Sequence, residues 1–176
     1  GALVPDLTLQ LRQPAVGPLR LQETWSGRLE GIGSGGGQLR LRALPPGLEG
    51  RLSARLDRAW RPTELLLERA DGSLALRGDP RLYRWQARAL PLHGLQLLPG
   101  GGHPAQPLDG LLAGSGQLGL QPLAFSGSVA LQEPGVFGLA GRELTANLRY
   151  ADRRYALRGT VTPLSGGTIA AELSGQ

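Results

Sequence analysis

The chain has 176 residues, including 28 Gly and 14 Pro but no Cys or Met, and its formal net charge is +5. This length fits one domain with a sizeable core, and the lack of Cys excludes disulfides. No apolar run approaches the roughly 20 residues of a membrane-spanning helix. Because Met is absent, we expect residues 1–176 to be a single segment excised from a longer protein.

Apolar and polar residues alternate from the start of the chain, which predicts strands and not helices. The first strands are expected at residues 7–12, 19–22, 25–30 and 38–42. The glycine-rich residues 31–37 are predicted to form a loop, because the Lys and the helix that follow a phosphate-binding loop are missing. A longer strand is predicted over residues 48–60, with Trp60 on its aliphatic face.

A hairpin is predicted over residues 64–78 around Asp71-Gly72, a pair that favours a type I′ turn. This turn would pair Leu67 with Leu76 and Leu65 with Gly78. Short strands are expected at residues 83–89 and 95–97, and a Gly/Pro loop at residues 99–107.

A second hairpin is predicted over residues 144–162 around Asp152-Arg153. Its register would place Leu148 opposite Leu157 and Gly159 opposite Ala146. The chain would end in a further short strand that includes Ile169 and Leu173.

The stretch 108–132, split at Gln121-Pro122, repeats a Gly-x-aliphatic step on one face of two strands. Glycine weakens a strand interior, so its recurrence indicates a close backbone approach or a sharply curved sheet. We expect curvature at four such glycines, which are Gly50, Gly116, Gly127 and Gly159.

Nearly every Arg is predicted on the face opposite the aliphatic residues. The aliphatic face would therefore form a shared lining without charge, suited to apolar cargo. Its predicted members are Leu48, Leu52, Leu56, Leu112, Leu118, Leu123, Phe125, Val129, Leu148 and Leu157.

These strands predict an all-β chain, a long antiparallel meander of about a dozen strands, which normally curls or splits into two layers. A sharply folded single sheet, shaped like a taco, would leave its aliphatic face as an apolar groove. The inward glycines favour this groove. The alternative is a β-sandwich in which the aliphatic faces close on one another.

The cadence of residues 108–131, together with GRLSARL and GGTIAAELSG elsewhere, resembles the TamB family and, more broadly, the AsmA-like bridge-type lipid-transfer proteins. The resemblance implies a periplasmic protein of the cell envelope, anchored in the inner membrane by an N-terminal segment absent from this chain. It also implies a taco-shaped hydrophobic groove, phospholipid transport towards the outer membrane, and an outer-membrane barrel partner for protein assembly or secretion.

Residues suited to catalysis or metal binding are few. The two histidines, His93 and His103, lie ten residues apart without a nearby Cys or acidic cluster. No Ser lies in a recognisable nucleophile motif, so we expect no enzyme activity, no catalytic residue, no metal and no cofactor. The arginines alternate with aliphatics and lack an aromatic stacking platform, so nucleic acid is not an expected partner either.

The sequence thus favours a non-enzymatic conduit or chaperone segment whose groove holds phospholipid acyl chains or an extended β-strand client. The rest of the parent chain would be a further partner. A structural or adhesive β-sandwich with a closed core is the alternative. A hydrolase on a β scaffold would need a cluster of catalytic residues assembled by long-range contacts.

Overall fold

The computed structural model describes residues 6–16, 19–31, 35–98, 103–136 and 139–175, and these residues form an all-β fold. No helix occurs among them, so none is long and apolar enough to cross a membrane. The described residues form fifteen strands, which are β1 Leu7–Arg12, β2 Ala15–Val16, β3 Leu19–Leu21, β4 Thr24–Glu30, β5 Gly37–Leu44, β6 Gly50–Leu56, β7 Pro62–Arg69, β8 Gly72–Asp79, β9 Leu82–Pro91, β10 Leu95–Leu97, β11 Gln106–Leu120, β12 Leu123–Val136, β13 Leu139–Ala151, β14 Arg154–Pro163 and β15 Ile169–Gly175.

Twelve of these strands form one antiparallel path, in the order β1-β4-β5-β6-β7-β8-β9-β11-β12-β13-β14-β15. The outermost strands, β1 and β15, are its two edges and do not pair with each other. The predicted meander is therefore confirmed. A second sheet covering the aliphatic face, as a sandwich would require, is not present in the part of the chain that the structure describes.

The three short strands outside this path link its first and middle parts. β2 pairs with β3, β3 pairs with β10, and β10 pairs with the start of β11. The amide of Gln22 continues the pairing of β3 and β10 by donating to the carbonyl of Gly94 at 2.9 Å. Only Gln22 and Glu23 separate β3 from β4.

This link requires a curved sheet. Between β4 and β11 the main path has six pairings, which would span about 29 Å if the sheet were flat. The route through β3 and β10 covers the same gap with half as many steps. We call this side of the sheet, where β3 and β10 join β4 to β11, the bridged margin.

A buried ion pair lies under the bridged margin. Arg69, at the end of β7, is fully buried and pairs with Glu23, which is 4% exposed. The Arg69 guanidinium also donates to the carbonyl of Pro91 at 3.1 Å and to that of His93 at 2.8 Å. β7 is the middle strand between β4 and β11. The Arg69 side chain therefore joins the centre of the sheet to Glu23, which precedes β4, and to the segment of Pro91 and His93, which leads into β10.

The backbone around this ion pair leaves little room. A Cβ at Gly94 would lie 2.6 Å from Glu23 Oε1 and 2.9 Å from Arg69 Nη2. The φ of Gly94 is +82°, a conformation that glycine adopts readily and other residues rarely. Gly94 therefore lets the chain pass directly over the two charged groups.

The opposite margin has a polar anchor of its own. Tyr83 on β9 is buried, and its hydroxyl donates to the carbonyl of Pro62 at 2.8 Å. Burial raises the pKa of the Tyr83 phenol, because the charged form would lose its hydration. Tyr83 thus remains a neutral hydrogen-bond donor that ties β9 to the start of β7.

One predicted hairpin is confirmed and the other is wrong by two residues. β13 and β14 pair Leu148 with Leu157 and Ala146 with Gly159, as predicted. In the β7–β8 hairpin, however, Leu65 lies opposite Leu76, because the loop is Ala70-Asp71 instead of Asp71-Gly72. A shift of two keeps each residue on its face, so the alternation of apolar residues could not distinguish the two registers.

Strand ends also differ from the prediction. β6 ends at Leu56, and Trp60 lies beyond it in a turn with φ +60° and is 46% exposed. Its ring still reaches the apolar side of β5, where a Cβ at Gly37 would lie 3.4 Å from Trp60 Cζ3. Gly37, which was predicted to lie in the loop 31–37, is the first residue of β5. Gln106 and Pro107, which were predicted to lie in the loop 99–107, are the first residues of β11. Residues 32–34 and 99–102 of those loops lie outside the described residues.

We predict that Glu23→Gln and Arg69→Met each destabilise the chain by about 3–5 kcal/mol, because each leaves an uncompensated buried charge or polar group. The double variant should lose clearly less than the sum of the two single losses. Urea unfolding of the four proteins measures this coupling. Additive losses would mean that the two side chains act independently.

Candidate functional site: an apolar face across twelve strands

The pairing registers place apolar residues in rows that cross the whole sheet. In the first row every one of the twelve strands contributes one residue, each directly opposite the next. Its members are Leu7, Leu29, Leu39, Ala54, Leu65, Leu76, Trp85, Gly116, Gly127, Leu148, Leu157 and Leu173.

A second row runs beside the first, two residues along each strand and nearer the bridged margin. Unlike the first row, which includes Trp85, it consists only of aliphatic residues and glycine. Its members are Leu9, Gly27, Leu41, Leu52, Leu67, Leu74, Ala87, Gly114, Val129, Ala146, Gly159 and Ala171. We call the surface formed by the two rows and their flanking residues the apolar face.

A shorter row flanks the first one on the side away from the bridged margin, and aromatic residues dominate it. Tyr83, Leu118, Phe125, Tyr150 and Tyr155 lie opposite one another on β9, β11, β12, β13 and β14. This row is not apparent in the sequence, because its aromatic residues are far apart in the chain. We call it the aromatic margin.

Most of the ten residues predicted to line a groove lie in these rows. Leu52, Val129, Leu148 and Leu157 belong to the two long rows, and Leu118 and Phe125 to the aromatic margin. Leu112 lies towards the bridged margin, opposite Leu90 and Leu131.

The other three predicted residues lie at the ends of strands. Leu56 ends β6 next to a register shift, and Leu48 precedes β6 and is half-buried. Leu123 starts β12 beside the turn at Gln121-Pro122 and is 55% exposed. These three positions border the apolar face at its periphery.

The apolar face is most exposed at its two edges. Leu7 on β1 is 48% exposed and Leu173 on β15 is 55% exposed, whereas Leu41 on β5 is 4% exposed. Between these edges most leucines of the two rows are half-buried, although no second layer of the described residues covers them. Because a flat single sheet cannot shelter its own face, this burial indicates curvature, and it is deepest over β4–β9, where Leu41, Ala54 and Ala87 are buried.

Two of the predicted curvature glycines lie beneath tryptophan rings. A Cβ at Gly127 would lie 2.5 Å from Trp85 Cζ2, and a Cβ at Gly50 would lie 2.7 Å from Trp25 Cη2. The Trp85 ring also stacks on Phe125, with centroids 5.8 Å apart. These glycines make room for an indole that lies across the neighbouring strands.

The other two glycines bring backbones close together. A Cβ at Gly116 would clash with the carbonyl oxygen of Ser126 and lie 2.6 Å from the Cα of Gly127. A Cβ at Gly159 would lie 2.6 Å from the carbonyl oxygen of Thr145. Both contacts are with a neighbouring strand, so a side chain at either position would push two strands of the sheet apart.

The expectation of a lining without charge is wrong at one position. Arg69 lies on the apolar face of β7, two residues beyond Leu67. Its charge is neutralised by Glu23 and lies under the bridged margin, away from the two long rows. The lining is therefore free of net charge, and the ion pair marks where it ends.

Groups suited to catalysis or metal binding are sparse. In the described part of the chain, no cluster of three His, Cys, Asp or Glu side chains could hold a metal ion. His93 Nδ1 lies 3.1 Å from Asp109 Oδ1, but both side chains are well exposed. No nucleophile or further acid adjoins that pair in the hydrogen bonds of the described residues.

No known protein family, curated protein or solved structure matches the chain.

We predict that Gly127→Val destabilises the chain by about 1–3 kcal/mol, the usual cost of overpacking, because the new side chain would displace the Trp85 ring. Gly116→Val should lower the free energy of unfolding by at least as much, since its side chain would also clash with backbone atoms of β12. The matched control is Ser128→Val, which adds the same side chain to the adjacent, exposed position on the opposite face. Thermal unfolding measures all three, and an unchanged midpoint for Gly127→Val would contradict the prediction.

Proposed function

We propose that this chain is a non-enzymatic conduit segment that holds the acyl chains of phospholipids along its apolar face. The single observation that supports this function most is the pair of aliphatic rows that cross all twelve strands and stay half-exposed. A monomeric protein rarely leaves so large a contiguous apolar surface without a binding partner. The function therefore follows from the surface and not from a catalytic group.

Acyl chains suit the chemistry of these rows. Their binding depends on buried area, with about 0.8 kcal/mol for each buried CH₂, and needs no directional polar contact. Twelve strands spaced by about 4.8 Å give the rows a length of roughly 50 Å. Because no net charge interrupts them, an acyl chain would find similar surroundings along the whole length and could slide.

The aromatic margin supports an orientation for the cargo. Tyr150 and Tyr155 each combine an apolar ring with a polar hydroxyl, as do side chains found at boundaries between apolar and aqueous surroundings. The bridged margin is closed by β3, β10 and the ion pair. In this proposal the lipid tails lie on the two rows and the headgroups project past the aromatic margin into water.

A second candidate cargo is an extended β-strand of a client protein. The observation in its favour is the edge strand β15, whose seven residues are nearly all exposed and include one charged residue, Glu172, and no Pro. Edges of this kind accept further strands readily, because their backbone groups are unpaired on one side. Outer-membrane proteins awaiting assembly or secretion would supply such strands.

The resemblance to the TamB family adds a cellular location and a biological process to the proposal. The segment would work in the periplasm as part of outer-membrane biogenesis, with the parent chain anchored in the inner membrane through a segment outside residues 1–176. An outer-membrane barrel would be its partner at the far end.

The proposal is tested by photocrosslinking in the intact envelope. A photoreactive amino acid in place of Leu52 should crosslink phospholipid, whereas the same residue in place of Ser53, the next residue on the opposite face, should not. Absence of any crosslink from position 52 to lipid or to an extended peptide would reject both candidate cargoes.

We predict that Val129→Arg reduces lipid crosslinking from position 52 at least several-fold while the chain still folds, because an unpaired charge on the lining is costly for an apolar cargo to cover. Leu118→Asp should act in the same way. The matched control is Ser128→Arg, which adds the same charge to the opposite face. Equal effects of Val129→Arg and Ser128→Arg would show that crosslinking responds to charge and not to the lining.

A further inference from the structure

The face opposite the apolar face carries an unusual arrangement of arginines. Three pairs lie directly opposite each other on adjacent strands, namely Arg28 with Arg40, Arg42 with Arg51, and Arg77 with Arg84. Like charges in directly opposite positions destabilise a sheet. All six side chains are exposed, so salt screens the repulsion within each pair.

Carboxylates on this face balance only part of the charge. Strands β4–β9 direct eight arginines to it, against the four carboxylates of Glu30, Glu64, Glu68 and Asp79. Within the described residues, Glu30 pairs with Arg40 and Glu64 with Arg55, both at 3.6 Å. Glu64 also lies opposite Arg77, and Glu68 lies opposite Arg51. No described carboxylate lies within 4 Å of Arg42, Arg51, Arg77 or Arg84.

An apolar side chain lies in the middle of these charges. Leu66, on β7, points to the same face as the arginines, between Ser53 and Ala75, and is 37% exposed. A depression of about 820 Å³ adjoins it, lined by Arg77, Arg84 and Arg88 among others. We call this surface of β4–β9, centred on Leu66, the arginine face.

We propose that the arginine face docks on a membrane surface rich in anionic phospholipid headgroups. Six strands at about 4.8 Å spread the arginines over a contour of roughly 24 Å along the curved sheet, a length that more than one headgroup can contact at once. Each arginine near such a surface contributes attraction that falls off within a Debye length. The unpaired arginines bind phosphate, and Leu66 enters the boundary between headgroups and acyl chains.

The same face suits nucleic acid less well. Bases of a single strand stack on aromatic rings, and the described residues of the arginine face include no aromatic side chain. An exposed leucine at the centre of the charges adds nothing to phosphate binding along a duplex. It does add apolar contact with a bilayer.

The test is flotation of the full 176-residue chain with vesicles of phosphatidylglycerol and phosphatidylcholine, compared with vesicles of phosphatidylcholine alone. Binding should require the anionic lipid and decline steeply between low and high salt. Arg77→Gln combined with Arg84→Gln should weaken it about fivefold for each arginine, the equivalent of about 1 kcal/mol per charge. The control, Arg149→Gln combined with Arg153→Gln, removes the same charge from exposed positions on the distant β13–β14 hairpin.

Two further measurements distinguish docking through the arginine face from nonspecific attraction by the net positive charge of the chain. Without lipid, the Arg77/Arg84 double variant should unfold at a higher temperature than the unmodified chain at low salt, because it relieves a like-charge pair. Leu66→Ser should weaken vesicle binding but not the binding of duplex DNA used as a second probe.

Equal loss of binding in the control variant, or equal binding to phosphatidylcholine alone, would overturn the proposal. If the chain binds duplex DNA more tightly than anionic vesicles, and if that binding depends on Arg77 and Arg84 in the same way, the arginine face would be assigned to nucleic acid instead. Because the arginine face is opposite the apolar face, failure here leaves the lipid-conduit proposal unaffected. Loss of crosslinking at position 52 would likewise leave membrane docking unaffected.

Discussion

The register of the twelve-strand path is the constraint on which both faces depend. Side chains alternate between the faces of a strand, so a slip of one residue in any pairing would move leucines into water and arginines onto the apolar face. The four register shifts of the main path lie outside the two long rows, although the shift between Leu112 and Gly114 is in the middle of β11 and adjoins the second row. The rows are continuous because no shift falls between them.

The two margins differ in how they end the apolar face. At the bridged margin, the segment from Pro91 to Gly94 that leads into β10 lies against the ion pair of Arg69 and Glu23, and the apolar surface ends there. A buried ion pair contributes little net stability compared with a hydrophobic replacement, but removal of one partner is costly. The ion pair of Arg69 and Glu23 therefore fixes the position of the strands β3 and β10 more than it adds to the stability of the fold. At the aromatic margin Tyr83 is buried and ties β9 to β7, whereas Tyr155 on β14 is 38% exposed.

Much of the architecture could be predicted from the sequence, because period-two alternation is a local signal. The hairpin at residues 144–162 was correct to the residue, because its loop is the predicted pair Asp152-Arg153. The β7–β8 hairpin was not, because Ala70-Asp71 and Asp71-Gly72 give registers that differ by two and preserve the same faces. The run Leu65-Leu66-Leu67 gave no further help, since it is apolar on both faces.

The features that the sequence did not reveal depend on distant contacts. Arg69 interrupts an aliphatic face, and only its contact with Glu23, far away in the chain, explains it. The glycines were assigned to curvature, whereas Gly50 and Gly127 also make room for tryptophans on other strands. The aromatic margin collects residues from strands β9 to β14. Each of these features depends on a contact between residues that are far apart in the sequence, so a short stretch of sequence could not reveal it.

The bridge also bears on how the chain folds. Apart from β1 with β4 and β9 with β11, each pairing of the main path joins consecutive strands, so the sheet can grow hairpin by hairpin at small entropic cost. Pairing of β3 with β10 joins residues 19–21 to residues 95–97 and closes a much longer loop, whose entropy must be lost before the contact forms. We therefore expect the curled half to form late, after β4–β9 have already exposed their leucines on one side. During that interval the nascent sheet would be vulnerable to aggregation, and a lipid surface or chaperone that covers the leucines would protect it.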